Sequence, residues 1–455
     1  MLLNHELLLF AAVFFLIGAL DELFVDLAYG WARLTGRAKS RRIVEEQLAH
    51  EPLRGRCAVF IPAWREDRVI GDTIRHALGV WRDEKLRLYV GCYSGDNATI
   101  AAAMSAAAGD PRLRIVVHDI QGPTCKADCL NRLYRALQLD EQRFGRRVRM
   151  VVLQDAEDMV DPAALSLLDR GMEEAEFIQL PVLALPQSES PWISGHYSDE
   201  FAESHAKTMV VRETFGAAIP GAGVGCAIDR VMLERLDRLR AGEGPFAAGS
   251  LTEDYELGQL VPALGGETKY LRARTADGRL IATRAYFPAH LGAAVRQKTR
   301  WVHGIALQGW DRLGWSGGLA NCWMQLRDRR GPFAALLLAT AYLLIVINTL
   351  RLVLEHFGKI GPMTISNGLE FLLWANFASL VWRVLLRAVF TTREHGLKQG
   401  LLAVPRVVVS NTIAIIAGRR ALFAYARTLA GSPAQWDKTD HSSHPARPAA
   451  TQVPA

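Results

Sequence analysis

VVLQDAEDMVDP, residues 151–162, sets Asp155, Glu157 and Asp158 directly after a run apolar enough to be a buried strand. Hard divalent cations take carboxylate oxygens together with substrate phosphates and seldom sit in an all-protein cage. An acidic strand end is therefore a suitable mount for a cation bridging a diphosphate. The same residues also fit a solvated loop, with Asp161 before Pro162 capping the next helix. Lys126, four residues after Gly122, is either an ammonium offered to a phosphate or an exposed first-turn lysine. A second acidic pair, Glu253 and Asp254, follows Ser250 and Thr252 in SLTEDYELGQL. A hydroxyl there can cap a helix and leave the acids in its first turn. A carboxylate so placed can equally act as general base at a substrate hydroxyl. Gln297, Arg300 and Trp301, in RQKTRWVHGIALQGW, sit at i, i+3 and i+4 and would share one helical face. That face is a ligand surface, or else an amphipathic helix with an interfacial Trp and a snorkelling Arg.

Such residues need elements to hold them. Between Arg54 and Leu185, RCAVFIPAW, LRLYVGCY, LRIVVHD and RMVVLQD are each followed by a helical pattern, and EFIQLPVLAL closes the series. This alternation predicts an α/β domain with a mainly parallel sheet covered on both faces. Ligands of such sheets bind at the carboxyl ends of the strands. Glu66, Asp96, Lys126, Asp155, Glu157 and Asp158 all fall there. No G-x-x-x-x-G-K-[ST] or G-x-G-x-x-G stretch occurs, which removes P-loop and dinucleotide-binding readings. IPGAGVGCAIDRVML carries Gly221, Gly223 and Gly225 ahead of a predicted helix. That loop is a tight turn, or a backbone able to approach a ligand closely.

With 455 residues, the chain has room for two or three domains. Its hydrophobic content of 50% and mean hydropathy of +0.08 are ordinary, but the apolar residues are unevenly spread. LLLFAAVFFLIGALDELFVDLAYGW (7–31) lacks a basic start and a small-residue cleavage site, so a retained transmembrane helix is expected. About 20 residues are needed to cross the hydrocarbon, and the span then includes Asp21 and Glu22. An acid at mid-bilayer costs roughly 2.5–3.5 kcal/mol. Glu22 and Asp26 share a face, with Arg351, Arg383, Arg387 and Arg406 as candidate partners; alternatively, the acids mark the interfacial end of a tilted helix. Residues 332–354 and 369–390 read as two further spans. Residues 401–426 either cross once or form a Pro-broken, re-entrant or interfacial element. Arg33, Arg37, Lys39, Arg41 and Arg42 place the 54–330 region in the cytoplasm. A net charge of +6 without a basic, aromatic-interleaved stripe gives no reason to expect nucleic acid. The six cysteines include no C-x-x-C pair and are expected to be reduced thiols, with no zinc site.

IPAWRE, QDAED, GAGVGCAID, LTED and QKTRW occur in that order. The succession resembles the processive, membrane-embedded family 2 glycosyltransferases with a GT-A fold, the cellulose and hyaluronan synthase type, over about residues 54–426. KADCLN, TEDYELG, TRWVHGIALQGW, WDKTDH and the acid-bearing ALDELFVDL are similar, more narrowly, to the phage N4 adsorption protein B group of that family. The resemblance implies four regions: a transmembrane helix (1–32), a cytoplasmic GT-A domain (54–315), transmembrane or interfacial helices (332–426) and a flexible cytoplasmic tail (431–455). It implies an inverting transfer of a hexosyl or N-acetylhexosaminyl unit from a nucleotide sugar, taken as a UDP-sugar, to an acceptor hydroxyl, assisted by Mg2+ or Mn2+. Asp254 would be the general base. Pro62, Ala63, Glu66, Asp96, Lys126 and Asp155 would meet the donor, and Asp155 with Glu157 or Asp158 would hold the metal. Gly223, Glu253, Gln297, Arg300 and Trp301 would serve the acceptor or diphosphate, Trp301 by stacking on the terminal sugar. Trp436 to His441 would lie over the site. Two departures stand out: Asp-Ala-Glu-Asp replaces a plain D-x-D, leaving the metal carboxylate open, and GCYSGDN lacks paired aspartates, leaving the base open. The product would be a cell-envelope polysaccharide exported across a bacterial inner membrane, with a possible outer-envelope partner. The alternatives are one sugar added to a membrane lipid phosphate, or a non-catalytic envelope scaffold used in phage adsorption.

Overall fold

A computed structural model describes residues 2–38, 41–43, 48, 51–361, 365–432, 441 and 443–447. Its strands are β1 (Arg41–Ile43), β2 (Cys57–Pro62), β3 (Leu86–Tyr93), β4 (Leu113–His118), β5 (Met150–Leu153), β6 (Phe177–Gln179), β7 (Val182–Ala184), β8 (Cys226–Asp229), β9 (Thr268–Tyr270), β10 (Ala273–Thr275) and β11 (Thr283–Ala285). Seven of them form the central sheet, in the order β4-β3-β2-β5-β8-β6-β9. β4, β3, β2 and β5 run parallel, and β8 is antiparallel to both β5 and β6. Parallel strands need long crossovers, and helices Ile70–Val80, Asn97–Ala107 and Lys126–Phe144 supply them. Both faces are covered, as the apolar runs require. Val59, Ile61 and Val152 join a core with Ile70 and Ile74. Ala58, Phe60 and Leu153 point the other way, onto Leu130, Leu133 and Leu233.

Two local expectations are corrected. The glycine-rich loop does not lead straight into a helix, because Cys226, Ala227 and Ile228 first form β8, fully buried between β5 and β6. The loop at Asp161 is not solvated: Asp161 Oδ1 accepts from the Ala163 amide at 3.1 Å just ahead of helix Ala164–Gly171, as a cap does, but the side chain is fully buried, with Oδ2 against Arg279 and Arg284.

Four helices are long and apolar enough to cross a membrane: Leu2–Leu34, Gly331–His356, Asn367–His395 and Leu397–Leu429. The acids of the first helix are neutralised by protein. Glu22 pairs with Arg327, Arg330 and Arg383, Asp21 with Arg327 and Arg330, and Asp26 with Lys207. Of the four expected partners only Arg383 meets this group. Arg387 goes to Glu203, Arg406 to Asp199, and Arg351 donates to the Gly361 carbonyl.

Leu397–Leu429 behaves differently from the other three. Arg406 pairs with Asp199 at 2.9 Å and donates to the Pro191 carbonyl at 2.6 Å. Tyr425 donates to Asp311 at 2.5 Å, beside His303. These anchor points are 19 residues apart in sequence, about 28 Å along a helix, close to the roughly 30 Å of a hydrocarbon layer. Both nevertheless bind the same α/β body. Between these points the helix packs on Gly331–His356, where Asn411 donates to the Tyr342 hydroxyl at 3.3 Å and a Cβ at Gly418 would lie 2.5 Å from the Ala335 Cβ. Pro405 lies within its early part.

Candidate active site

β2 and β5 are neighbours in register, Phe60 opposite Leu153, so their carboxyl ends emerge together. After β2 the chain turns through Arg65 at φ 54. Asp96 holds that turn: one oxygen accepts from the Arg65 amide at 2.5 Å and the other from the Thr99 amide at 3.3 Å, capping helix Asn97–Ala107. Buried and doubly engaged, Asp96 shapes the loop and does not wall the cleft.

After β5, the Asp155 amide donates to Asp158 Oδ2 at 2.7 Å. Asp158 is 2% exposed and turned into its own loop. Asp155 and Glu157 instead face a cleft, which they wall with Pro62, Ala63, Trp64, Glu66, Tyr93, Lys126, Gln297, Arg300 and His441. Lys126, at the start of helix Lys126–Phe144, lies 2.5 Å from Asp155 Oδ1. His441 spans the opening, with Nδ1 3.1 Å from Glu66 and Nε2 3.1 Å from Glu157. One ligand atom from each of Glu66, Glu157 and His441 lies within 4.8 Å of the others. Two carboxylate oxygens and an imidazole nitrogen suit Mn2+, while Mg2+ would draw on the carboxylates alone. Burial pushes the Glu157 carboxyl up to about 7, with Asp155 and Glu66 adding to the rise and His441 opposing it.

The second acidic pair begins helix Glu253–Ala263. Neither hydroxyl caps it: Thr252 Oγ1 is buried without a partner, and Ser250 accepts from the Thr252 amide. The Asp254 Oδ1 accepts from the Tyr255 amide at 2.8 Å. Its Oδ2 faces the glycine loop, where a Cβ added at Gly223 would lie 2.6 Å from Asp254 Oδ2 and 3.1 Å from Lys126 Nζ. Gly223, at φ +79, is thus a backbone approach no side chain could share. Gly258 makes the same demand from the helix side, since its Cβ would lie 2.2 Å from the Ile219 carbonyl oxygen. Burial raises the carboxyls of Glu253, to about 7, and of Asp254, while Lys126 holds both down.

Gln297 and Arg300 reach the cleft from helix Leu291–Trp301. Gln297 Oε1 is buried without a partner. Trp301 is not part of the cleft wall. The helix passes into a π-helical turn at Val302, and the Trp301 ring turns toward Tyr197, Phe201 and Phe287, 6.1–6.4 Å away, under Lys298 Nζ.

Trp64, Tyr93 and His441 complete the wall. Trp64 stands edge-on to Tyr93 at 5.1 Å. It lay inside the IPAWRE motif, and Tyr93 is the last residue of β3, where a carboxyl-end argument reaches it. Of Trp436 to His441 only His441 is among the described residues, and most of the 431–455 tail lies outside them. The cleft encloses about 100 Å³. A larger hollow of about 1110 Å³ lies at the amino ends of β2 and β3. None of the acids above lines it, and Arg112 there serves the Trp81 and Leu78 carbonyls.

The model of the family described as glycosyltransferase like family 2 matches residues 55–304, and the chain belongs to that family. It is 33% identical over 460 residues to a bacteriophage adsorption protein B of Escherichia coli strain K12, and equally to the bacteriophage N4 adsorption protein B of E. coli O157:H7. Each match takes in 94% of this chain and 61% of the relative, so the chain spans about three fifths of these relatives' length. Among solved structures it is similar to a mannosyltransferase from Pyrobaculum calidifontis in complex with GDP-Man and Mn2+, at a TM-score of 0.53 and 14% identity, covering 90% of this chain and 99% of that one. That likeness extends to the fold.

Proposed function

We propose that the chain is an inverting glycosyltransferase that moves a hexosyl or N-acetylhexosaminyl unit from a nucleotide sugar, with UDP as the carrier, to an acceptor hydroxyl. The observation that carries this reading is the joining of two acidic groups by one lysine: Lys126 touches Asp155 at the strand end and also lies against Gly223 beside Asp254. Pro62, Ala63 and Glu66 would meet the nucleoside, and Lys126 and Arg300 the diphosphate. Glu157 would hold Mn2+ or Mg2+ together with Asp155 and with Glu66 and His441, whose ligand atoms lie within 4.8 Å of its own; when bound, the ion offsets charge on the diphosphate. The acceptor oxygen attacks the anomeric carbon from the face opposite the departing diphosphate, and Asp254 Oδ2 takes its proton. With Oδ1 held by the Tyr255 amide and its basicity raised by burial, Asp254 fits a general base. A nucleotide sugar needs far more than the present cleft, since small-molecule sites run to roughly 300–1,000 Å³. The His441 side chain therefore moves aside or re-seats over the donor.

The α/β body would lie in the cytoplasm at a bacterial inner membrane, feeding an envelope polysaccharide. A single transfer to a lipid phosphate is the second reading, favoured by the small number of crossing helices. Membranes bearing wild-type or Asp254→Asn protein, incubated with labelled nucleotide sugars and Mn2+, test both. High-mass label from wild type alone supports polymerisation, and label confined to the lipid extract supports single transfer. No difference between the proteins on any donor would overturn catalysis and leave an envelope scaffold, with an outer-envelope partner in phage adsorption, as the remaining role.

A further inference from the structure

We propose that the exposed face of helix Leu397–Leu429 binds anionic phospholipid headgroups through Lys398, Arg419, Arg420 and Arg427. Tied to the α/β body by Arg406 and by Tyr425, the helix would lie along that body's membrane face. On the side away from those anchors, Leu397, Leu401, Val404 and Val408 are 44–67% exposed and follow one another at intervals of three and four. That spacing builds one continuous apolar stripe, which Leu422 extends two heptads beyond Val408. At about 100° per residue, Arg419 falls on the stripe, while Lys398, Arg420 and Arg427 fall together along one flank. All four are exposed, and none has a hydrogen bond or ion pair among the described residues.

The contrast with neighbouring cations supports a ligand from outside the chain. Arg327, Arg330, Arg383, Arg387 and Arg406 each meet a carboxylate. Among the described residues the flank cations meet none. An apolar stripe bordered by long cationic side chains, lying in the plane of the interface, fits the boundary between acyl chains and headgroups. The guanidinium and ammonium groups would then reach up to phosphate while their stems stay against lipid. A protein partner would have to enter that boundary to use the stripe, which favours lipid as the occupant.

The test titrates the detergent-solubilised full chain with phosphatidylglycerol and, separately, phosphatidylcholine, counting bound lipid by native mass spectrometry. Near an anionic surface each cation contributes a factor of about five, so wild type should prefer phosphatidylglycerol by about a hundredfold or more. Replacing all four cations by Gln should bring the two lipids within about twofold. Replacing only the three arginines by Lys should keep the preference, and so should Arg33→Gln/Arg37→Gln at the end of the first helix. Should the fourfold variant fail to fold, Arg420→Gln/Arg427→Gln carries the test, with about a 25-fold loss expected. Equal binding of both lipids by wild type, or an undiminished preference in a folded Gln variant, would overturn the proposal.

Discussion

Lys126 and Asp155 form an ion pair of 2.5 Å at the mouth of the cleft. Few contacts in the molecule have such leverage, because the same ammonium also lies against the glycine loop beside Asp254. It holds a donor-side carboxylate and the candidate base in one electrostatic unit.

Replacing Lys126 by Met should move the pH–rate profile. Lys126 holds the carboxyls of Glu253 and Asp254 down against burial. Without it both become harder to ionise, and a general base works only when ionised. The acidic limb, expected in wild type above the ordinary carboxylate range, should therefore shift to higher pH. An unchanged limb in a folded variant would separate Lys126 from the base.

Gly223→Ala should cost more than its backbone angle. Both Gly223, at φ +79, and Gly265, at φ +74, are left-handed, but nothing lies within 4 Å of a Cβ at Gly265. Gly265→Ala should lower stability by about 1–2 kcal/mol with transfer intact. Gly223→Ala should lose at least a hundredfold in kcat besides, since the new methyl displaces Asp254 and Lys126. Thermal melts paired with initial rates check this.

His441→Ala should weaken the response to metal. Mn2+ should raise the melting temperature of wild type, and EDTA should remove the gain. The variant should show less than half of it, with its metal-free melt nearly unchanged because His441 is an outlying contact. A full gain in the variant would leave Asp155 and Glu157 as the metal carboxylates without the imidazole.

Asp199→Asn should be strongly destabilising. Asp199 and Arg406 are 2% and 1% exposed at their side chains, and breaking a buried pair costs about 3–5 kcal/mol. Arg406→Met alone should cost a similar amount. The double variant should lose clearly less than the sum, which a double-mutant cycle in melting experiments would measure.

Much of this site was legible in the chain, for physical reasons. Alternating apolar runs and helical patterns fix a parallel sheet, and a parallel sheet places ligands at strand ends. Glu66, Lys126, Asp155 and Glu157 were reachable on that ground, and all four reach the cleft. Asp96 and Asp158 obey the same placement rule yet turn inward, because each satisfies a backbone amide of its own neighbourhood. Strand-end position does not reveal that choice. Trp301 parts from its helix neighbours for a different reason: i, i+3 and i+4 span about 100° of one helix, and while Gln297 and Arg300 line the cleft, Trp301 packs on Tyr197, Phe201 and Phe287. The course of Leu397–Leu429 lay beyond hydropathy altogether. Its two tethers to the α/β body, Asp199 and Asp311, are far away in sequence.

The carboxylates of the first helix also bear on how the chain is made. Glu22 meets Arg327 across 305 residues of sequence. At about 5–20 residues per second, the ribosome delivers that arginine roughly 15–60 s after the glutamate. Until then the nascent helix carries uncompensated acids, so its firm seating must wait for the C-terminal half. Assembly is thereby ordered in time: a truncated product released before Arg327 would present an N-terminal helix unable to settle, marked for quality control rather than left as a half-built enzyme.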